Sequence, residues 1–303
     1  MNPGMRSAFV TAAVVASLLA ASFFGYPGLS QSETPQETVK RVLRTERRDW
    51  SKAPEAEHAE DLKGLGAEAI PLLAALLTDE DLGDTAAATM LLMDEGKAAP
   101  LIFASMPQSD RNVQYHTFTR FIRRVRTHEP FAFSTEMRLA AIRCLEADTN
   151  ADAAEQALLA LGLTGSQEDF PLLERYYRNS HPTAVWAKKL RNASEASLAR
   201  LGREDHLANI EAELRAPVPS VLTLEAAAEL SASIQKAAFS DSQRFVPLLC
   251  QHLHDPGVRE YDVGVAPASD AAQALSQILD KASPDQGASV EHWKERCTTL
   301  IGP

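Results

Sequence analysis

Apolar residues recur along most of the chain at the three- and four-residue intervals that place them on one side of an α-helix. Representative stripes are Ile70, Leu73 and Leu77; Phe118, Ile122 and Val125; Ala154, Leu158 and Leu161; and Phe245, Leu248, Leu249 and Leu253. Each stripe predicts an amphipathic helix with one buried face. No run alternates strictly between apolar and polar residues, so we expect no β-strands.

Short polar or Gly/Pro-containing breaks separate these stripes. They fall at residues 78–84, 94–96, 164–165, 179–182, 216–219 and 255–257. Ser166, followed three residues later by Asp169, resembles a capping box and predicts a helix start. Ser134 and Ser269 are expected to cap two further helices. The chain is therefore predicted to be a succession of short helices.

A local pattern repeats at intervals of about 30 to 40 residues: a helix that ends near glycine or a polar turn, followed by a second helix that often opens with Pro-Leu-Leu. The copies are residues 65–66 followed by 69–73, 158–162 followed by 170–173, 198–202 followed by 207–210, and 240–242 followed by 245–249. A repeat of this length indicates stacked supersecondary units that share one core.

The segments Gly-Ala-Glu-Ala-Ile-Pro-Leu-Leu at 66–73 and Phe-Val-Pro-Leu-Leu at 245–249 resemble bacterial HEAT repeats, including the phycobilisome-lyase-type relatives. Alanine-rich second helices at 84–88, 139–142 and 270–275 support the resemblance, which covers about residues 60–280 and fits 103–134 poorly. It implies an all-α fold, a right-handed α-solenoid of stacked antiparallel helix pairs of the HEAT-like or ARM type.

The N-terminus has the features of an export signal. Arg6 precedes an uncharged, largely apolar run at residues 7–24, and small residues allow cleavage after Ser30. An uncleaved membrane anchor is the alternative, since the run approaches the length needed to span a bilayer. We therefore predict a signal peptide or anchor over 1–30, a flexible leader over 31–38, and the solenoid over 39–303.

Composition and charge narrow the function classes. Ala and Leu dominate the apolar residues, which favours helices. The formal net charge of −11 favours solubility and repels nucleic-acid phosphates, so no nucleic-acid partner is expected.

The cysteines Cys144, Cys250 and Cys297 are too few and scattered for a disulfide scaffold. An oxidising compartment would allow Cys250 and Cys297 to pair; buried free thiols are the alternative.

Sequence motifs provide little support for catalysis. The sequence contains no Gly-x-Ser-x-Gly elbow, Walker loop or Rossmann glycine pattern. His252 and His254, followed by Asp255, form the only close histidine pair, but side chains two residues apart point to different faces of a helix. Helix-end residues in solvent explain them better than a metal site, and we predict no metal, no cofactor and no enzymatic activity.

Two arginine stripes and one tryptophan are the candidate binding residues. Arg41, Arg44 and Arg48 share one face of the first helix, while Arg120, Arg123, Arg124 and Arg126 surround the Phe118 stripe. They suit an acidic peptide, a phosphate or an anionic polymer; the alternative is a solvated face paired with the protein's own acids. Trp186, near Tyr176 and Tyr177 in sequence, is a candidate interface anchor, although core packing explains it equally well.

These observations favour a periplasmic or secreted scaffold that binds a protein or peptide without catalysing a reaction. Two alternatives remain open. One is an enzyme or chromophore-handling factor, which the lyase-type resemblance suggests but for which no reactive residue is evident. The other is a structural protein of the cell envelope, held in the membrane by an uncleaved N-terminal helix.

Overall fold

A computed structural model describes residues 34–45, 53–126, 131–147, 150–179, 185–219, 222–260, 263–281 and 289–301. α-Helices make up most of these residues, which confirms the all-α fold class. The predicted signal segment lies outside them. No helix within the described ranges is both long enough and apolar enough to cross a membrane.

The chain divides into two compact units, residues 1–102 and 103–303. The sequence led us to expect one continuous array from residue 39 onward. The division falls at the start of the stretch 103–134, in which the repeat pattern is weakest.

Four α-helices begin among the described residues of the first unit: α1 (Pro35–Leu43), α2 (Pro54–Asp61), α3 (Ala69–Ala74) and α4 (Gly83–Ser105). A 3-10 helix, Leu62–Glu68, joins α2 to α3. Within it Gly66 adopts a φ of 55°, a left-handed conformation that glycine tolerates at little cost. Helix α1 packs against α3 and α2, and Val39 and Leu73 are fully buried in this unit.

Helix α1 begins at Pro35, earlier than the expected end of the leader at residue 38. Thr34 and Glu37 form a capping box: the Thr34 hydroxyl accepts a hydrogen bond from the Glu37 backbone N–H, and the Glu37 carboxylate accepts one from the Thr34 backbone N–H. These bonds satisfy backbone N–H groups that have no acceptor within the helix, which stabilises a helix start at Pro35.

Helix α4 is interrupted at the predicted break. Asp94 has an extended backbone, with φ −161° and ψ 92°, and its carboxylate accepts a hydrogen bond from the Lys97 backbone N–H at 3.2 Å. This side chain therefore caps the second half of the helix.

The second unit contains the remaining described helices. They are α5 (Arg111–Arg126), α6 (Ser134–Glu146), α7 (Ala151–Thr164), α8 (Phe170–Asn179), α9 (Val185–Arg200), α10 (Glu204–Leu214), α11 (Leu224–Ser240), α12 (Val246–His252), α13 (Pro267–Asp280) and α14 (Val290–Ile301). Short 3-10 helices, Met106–Gln108, Gln167–Asp169 and Gln243–Phe245, precede α5, α8 and α12.

Successive helices of the second unit pack in a regular order. Helix α6 contacts α7, α8 contacts α9, α10 contacts α11, and α12 contacts α13. The second member of each pair also contacts the second member of the next, so α7, α9, α11 and α13 follow one another in contact. Their shared core is rich in alanine and leucine, for example Ala157, Leu158 and Leu275, all fully buried.

One short strand pair departs from the expectation that strands are absent. Strands β1 (Val258–Glu260) and β2 (Val263–Val265) pair antiparallel, with Val258 opposite Val265. Both strands contact α11. Valines at three of these six positions favour extended backbone, and the run is too short to show an alternating pattern in the sequence.

The predicted helix starts are partly correct. Ser166 and Asp169 form the expected capping box, which opens the 3-10 helix before α8. Ser134 and Ser269 do not cap: Phe133 and Ala266 hold the cap positions, and both serines lie inside the first helical turn. Pro267 moves the start of α13 upstream, because its fixed φ suits the first helical position.

The structure distinguishes between a disulfide and free thiols for the three cysteines. Cys250 of α12 and Cys297 of α14 form a disulfide across a separation of 47 residues, next to the buried Trp293. Cys144 is a buried free thiol. Burial raises the pKa of this thiol to about 12, so it remains in the unreactive protonated form.

Candidate functional site

A charged cleft in the second unit lies along α8 and the turn that precedes α10. It has a volume of about 480 Å³ and is lined by Phe170, Pro171, Glu174, Arg175, Arg178 and Arg203. We call this surface the arginine cleft. Five of the lining residues belong to α8, and each of them has another of the five three or four positions away, which makes them neighbours on one helix surface.

The local sequence holds this helix surface in place. Arg138 makes two hydrogen bonds of 2.8 Å each to the carboxylate of Asp169, which is itself buried. Asp169 also accepts a hydrogen bond from the backbone N–H of Ser166. Pro171 follows in the first turn of α8, where its missing N–H breaks no helical bond. The start of α8 is therefore fixed from two directions.

Arg203 reaches the cleft from the opposite side. Gly202, with a φ of 89°, reverses the chain after α9 and places Arg203 just before α10. The Arg203 guanidinium lies 5.3 Å from the centre of the Phe170 ring, a cation–π distance. Its Nη2 lies 3.0 Å from Oε1 of Glu174 and 2.7 Å from Oδ2 of Asp205.

Glu174 connects the cleft to a buried histidine. Its Oε1 lies 3.3 Å from Nε2 of His206, and its Oε2 accepts a hydrogen bond from Nε of Arg178 at 3.1 Å. The His206 side chain is 3% exposed and meets the Tyr177 ring edge-to-face, with the ring centres 4.6 Å apart. Glu174 therefore belongs both to the open cleft and to the interior.

Beneath the cleft lies an ionic network that contains three buried side chains, His206, Glu195 and Lys236, and one exposed side chain, Glu213. Nζ of Lys236 lies 2.6 Å from Oε2 of Glu195 and 2.5 Å from Oε2 of Glu213. The side chains of Lys236 and Glu195 are 6% and 3% exposed. Nδ1 of His206 lies 3.8 Å from Oε1 of Glu195, too far for a hydrogen bond, and has no hydrogen-bond partner.

These contacts set the charges of the network. Burial would raise the pKa of Glu195, but His206 and Lys236 outweigh it and lower that pKa to about 2. Burial would lower the pKa of His206, but the carboxylates of Glu195 and Glu174 outweigh it and raise that pKa overall. An anionic Glu195 is therefore held between a lysine and a histidine that readily binds a proton.

A group of three possible metal ligands also lies here. The ligand atoms of Glu174, Asp205 and His206 are within 4.8 Å of one another, close enough to share one metal ion. Arg203 already forms ion pairs with both carboxylates. A metal ion would have to displace this guanidinium from two oxygens at once. The arrangement is therefore better suited to ion pairing than to metal binding.

The sequence-predicted arginines do not line the arginine cleft as it is described. In the first unit Arg41 is exposed on α1 and Arg44 is exposed at its C-terminal cap, and Arg48 lies outside the described residues. In the second unit Arg120 and Arg123 are exposed on α5, and Arg124 is half-buried there.

Trp186, at the start of α9, is 55% exposed. The nearby tyrosines have structural partners: the Tyr176 hydroxyl donates to the Leu145 carbonyl at 2.8 Å, and Tyr177 packs on His206.

His252 is a buried structural residue. Its Nδ1 lies 2.6 Å from Oδ2 of Asp255, and its Nε2 lies 2.9 Å from the Leu214 carbonyl oxygen. His254 is exposed at the end of the same segment. The two histidines therefore do not point to a shared ligand.

Sequence reasoning missed the arginine cleft, although a charge signal was present. Residues 175–194 contain Arg175, Arg178, Lys188, Lys189 and Arg191 and no aspartate or glutamate. In a chain with a net charge of −11 this is a pronounced local excess of positive charge. Arg203 could not be added from sequence, because it reaches the cleft only through the turn at Gly202.

Comparison with known proteins finds no matching family model, no matching curated protein and no matching solved structure.

Proposed function

We propose that this chain is an exported, non-enzymatic scaffold that binds a protein or peptide partner through a HEAT-like, right-handed solenoid of helix pairs. The observation that carries the proposal is a ladder of side-chain contacts between residues 39 to 41 positions apart. Its members are Ser197 with Leu158, Arg200 with Phe239, Ser231 with Asp270, Lys236 with Glu195, and Lys281 with Asp241.

A constant separation has a simple physical meaning. When equivalent helices of consecutive repeats pack side by side, residues one repeat apart become neighbours. Contacts with this separation join α7 to α9, α9 to α11, and α11 to α13. A globule without repeats would bring helices together at unrelated separations.

The turns that end the second helices support the same repeat. Gly202, Asp241 and Lys281 follow α9, α11 and α13, and all three have a positive φ, of 89°, 58° and 54°. Left-handed backbone costs a non-glycine residue roughly 1 kcal/mol or more. The recurrence of this backbone at Asp241 and Lys281, 40 residues apart, supports the proposal of stacked repeats.

Stacked repeats offer an extended surface for a partner. Lys188 of α9 and Glu229 of α11 are 49% and 57% exposed and are joined by an ion pair of 2.7 Å. They mark one continuous surface that crosses from one repeat to the next. A cation pairs with each of Glu174, Glu195 and Asp205, which supports a binding role over a catalytic one.

Export is supported by two independent features. The apolar run at residues 7–24 after Arg6 has the composition of a signal segment. The disulfide between Cys250 and Cys297 is typical of proteins that mature in an oxidising compartment. Mass spectrometry of the mature N-terminus distinguishes a cleaved signal from a retained anchor.

The proposed function is tested by photo-crosslinking in the cells that produce the full chain. A crosslinking amino acid placed at Lys188 or at Glu229 should give the same discrete protein adduct, because both positions lie on one surface. The same amino acid at Lys97, an exposed residue of the first unit, serves as the control. Unrelated adducts, or none from either position, would refute the proposal.

A further inference from the structure

The arginine cleft is locally positive in a protein that is otherwise acidic. Its lining contains three arginines and one glutamate. Glu174 is paired with Arg178 and Arg203, and Asp205 is also paired with Arg203, so these two carboxylates neutralise only part of the charge of the three arginines. The basic run at residues 175–194 begins inside the cleft and extends the positive region along the chain.

Arg175 and Arg178 are the two cations best placed to meet a ligand. Both are exposed, and they lie three residues apart on α8, so their side chains are neighbours. Arg175 forms no ion pair with another described residue; its guanidinium lies 5.4 Å from the centre of the Tyr176 ring. Arg178 is 73% exposed and holds Glu174 through one contact.

The cleft also has an apolar wall. Phe170 is half-buried beneath the Arg203 guanidinium, and the neighbouring Pro171 is exposed. A ligand that fits both features carries an anionic group next to an apolar one. Arginine binds a carboxylate through two parallel hydrogen bonds, and this fixed geometry favours a carboxylate as the anionic group.

We propose that the arginine cleft binds an acidic peptide segment of the partner, in which a carboxylate meets Arg175 and Arg178 while an adjacent apolar side chain packs on Phe170 and Pro171. This inference deepens the proposed function and rests on it. A nucleic acid is the less suitable ligand, because the acidic remainder of the protein repels a long phosphate polymer.

The test uses fluorescence anisotropy with the full chain and a labelled twelve-residue peptide of alternating glutamate and leucine. A matched peptide has glutamine in place of every glutamate, and a labelled single-stranded oligonucleotide is the third probe. We expect the acidic peptide to bind about tenfold or more tightly than the glutamine peptide, the effect of one charge-assisted hydrogen bond. Equal binding of the two peptides, or tighter binding of the oligonucleotide, overturns the inference.

A charge-matched pair of variants locates the interaction. Arg175→Glu should weaken binding of the acidic peptide about tenfold or more, and Arg175→Gln should weaken it less. Arg111→Glu makes the same charge change at an exposed position at the start of α5 and should leave the affinity within about twofold. Equal losses in Arg175→Glu and Arg111→Glu would mean that only the net charge matters, which contradicts a site in the cleft.

The two proposals fail separately. If the crosslinks at positions 188 and 229 form but Arg175→Glu has no effect on the acidic peptide, the scaffold stands and the cleft is not its acidic-peptide site. If neither position gives a shared adduct, the scaffold function itself fails, whatever the peptide does.

Discussion

Two junctions between second helices, α7 against α9 and α9 against α11, share one geometry and differ completely in chemistry. At the first, the Ser197 hydroxyl donates to the Leu158 carbonyl at 2.8 Å, 39 residues away. At the second, Lys236 forms an ion pair with Glu195 at 2.6 Å, 41 residues away. Both junctions therefore keep a separation of 39 to 41 residues, although small side chains with one hydrogen bond form the first and a buried ion pair forms the second.

The first junction depends on close approach. A Cβ atom added to Gly162 would lie 2.8 Å from Cα of Ser197 and closer still to its side chain. Buried alanines such as Ala157 and Ala196 line the same helices. Small side chains let the two backbones pack tightly, and dispersion contacts between them stabilise the junction.

The second junction depends on charge balance. Glu195 and Lys236 are almost fully buried, and the Lys236 ammonium forms a second ion pair with Glu213. Removing two charges from water costs several kcal/mol, which their attraction offsets only when the geometry is good. This junction therefore adds less stability than an apolar one would, but it penalises any register in which the charges do not meet.

The largest effect should come from breaking the charge balance. Lys236→Met leaves the buried Glu195 without its main partner, so we expect the free energy of unfolding to fall by about 3 to 5 kcal/mol. Urea denaturation measures this loss. The double variant Glu195→Leu with Lys236→Met removes both charges and should lie within about 1 kcal/mol of the wild type. A single variant as stable as the wild type would show that the ion pair is not buried as described.

A smaller effect is expected at the apolar junction. Gly162→Ala should lower the free energy of unfolding by about 1 to 3 kcal/mol, because the added methyl group forces α7 and α9 apart against the helix-favouring effect of alanine. Gly64→Ala is the matched control, since nothing lies within 4 Å of its added Cβ, and it should change stability little. If Gly162→Ala proves as stable as wild type in the same urea experiment, the helices do not approach this closely.

The smallest effect should be a pH dependence confined to the charged junction. Because the pKa of His206 is raised in the folded protein, its stabilising contribution is complete below the ordinary value of 6.5 and is lost as the pH rises through the folded pKa. The stability of the wild type relative to His206→Gln should therefore fall as the pH rises above 6.5.

Glu195 acts in the opposite sense at low pH. Its folded pKa of about 2 lies below the ordinary value of 4.5, so its contribution is present above pH 4.5 and is lost as the pH falls towards 2.

The His206 prediction is checked by urea unfolding of wild type and His206→Gln at pH values from about 6 to about 9. If the difference between their free energies of unfolding stays constant over this range, His206 is not coupled to the network.

The amino-acid sequence was sufficient to predict the helical character of the chain and most of the breaks between the helices that the structure describes. These features depend on interactions within a few residues: the apolar stripe of one helix, the Ser166 capping box and the polar turns. Local rules also explain the errors. Pro267 moved a helix start away from Ser269, and Thr34 started α1 before the expected boundary.

Which distant residues meet became clear only from the three-dimensional fold. The Arg203 guanidinium lies over the Phe170 ring in one cleft, His206 faces both Glu174 and Glu195, and Cys250 forms a disulfide with Cys297. The sequence placed the candidate arginines on individual helix faces, but it could not show that Arg175 and Arg178 border a cleft. Such contacts depend on the register of one helix against another, and the charge state of a buried group depends on all its neighbours. Neither is encoded within a single stretch of chain.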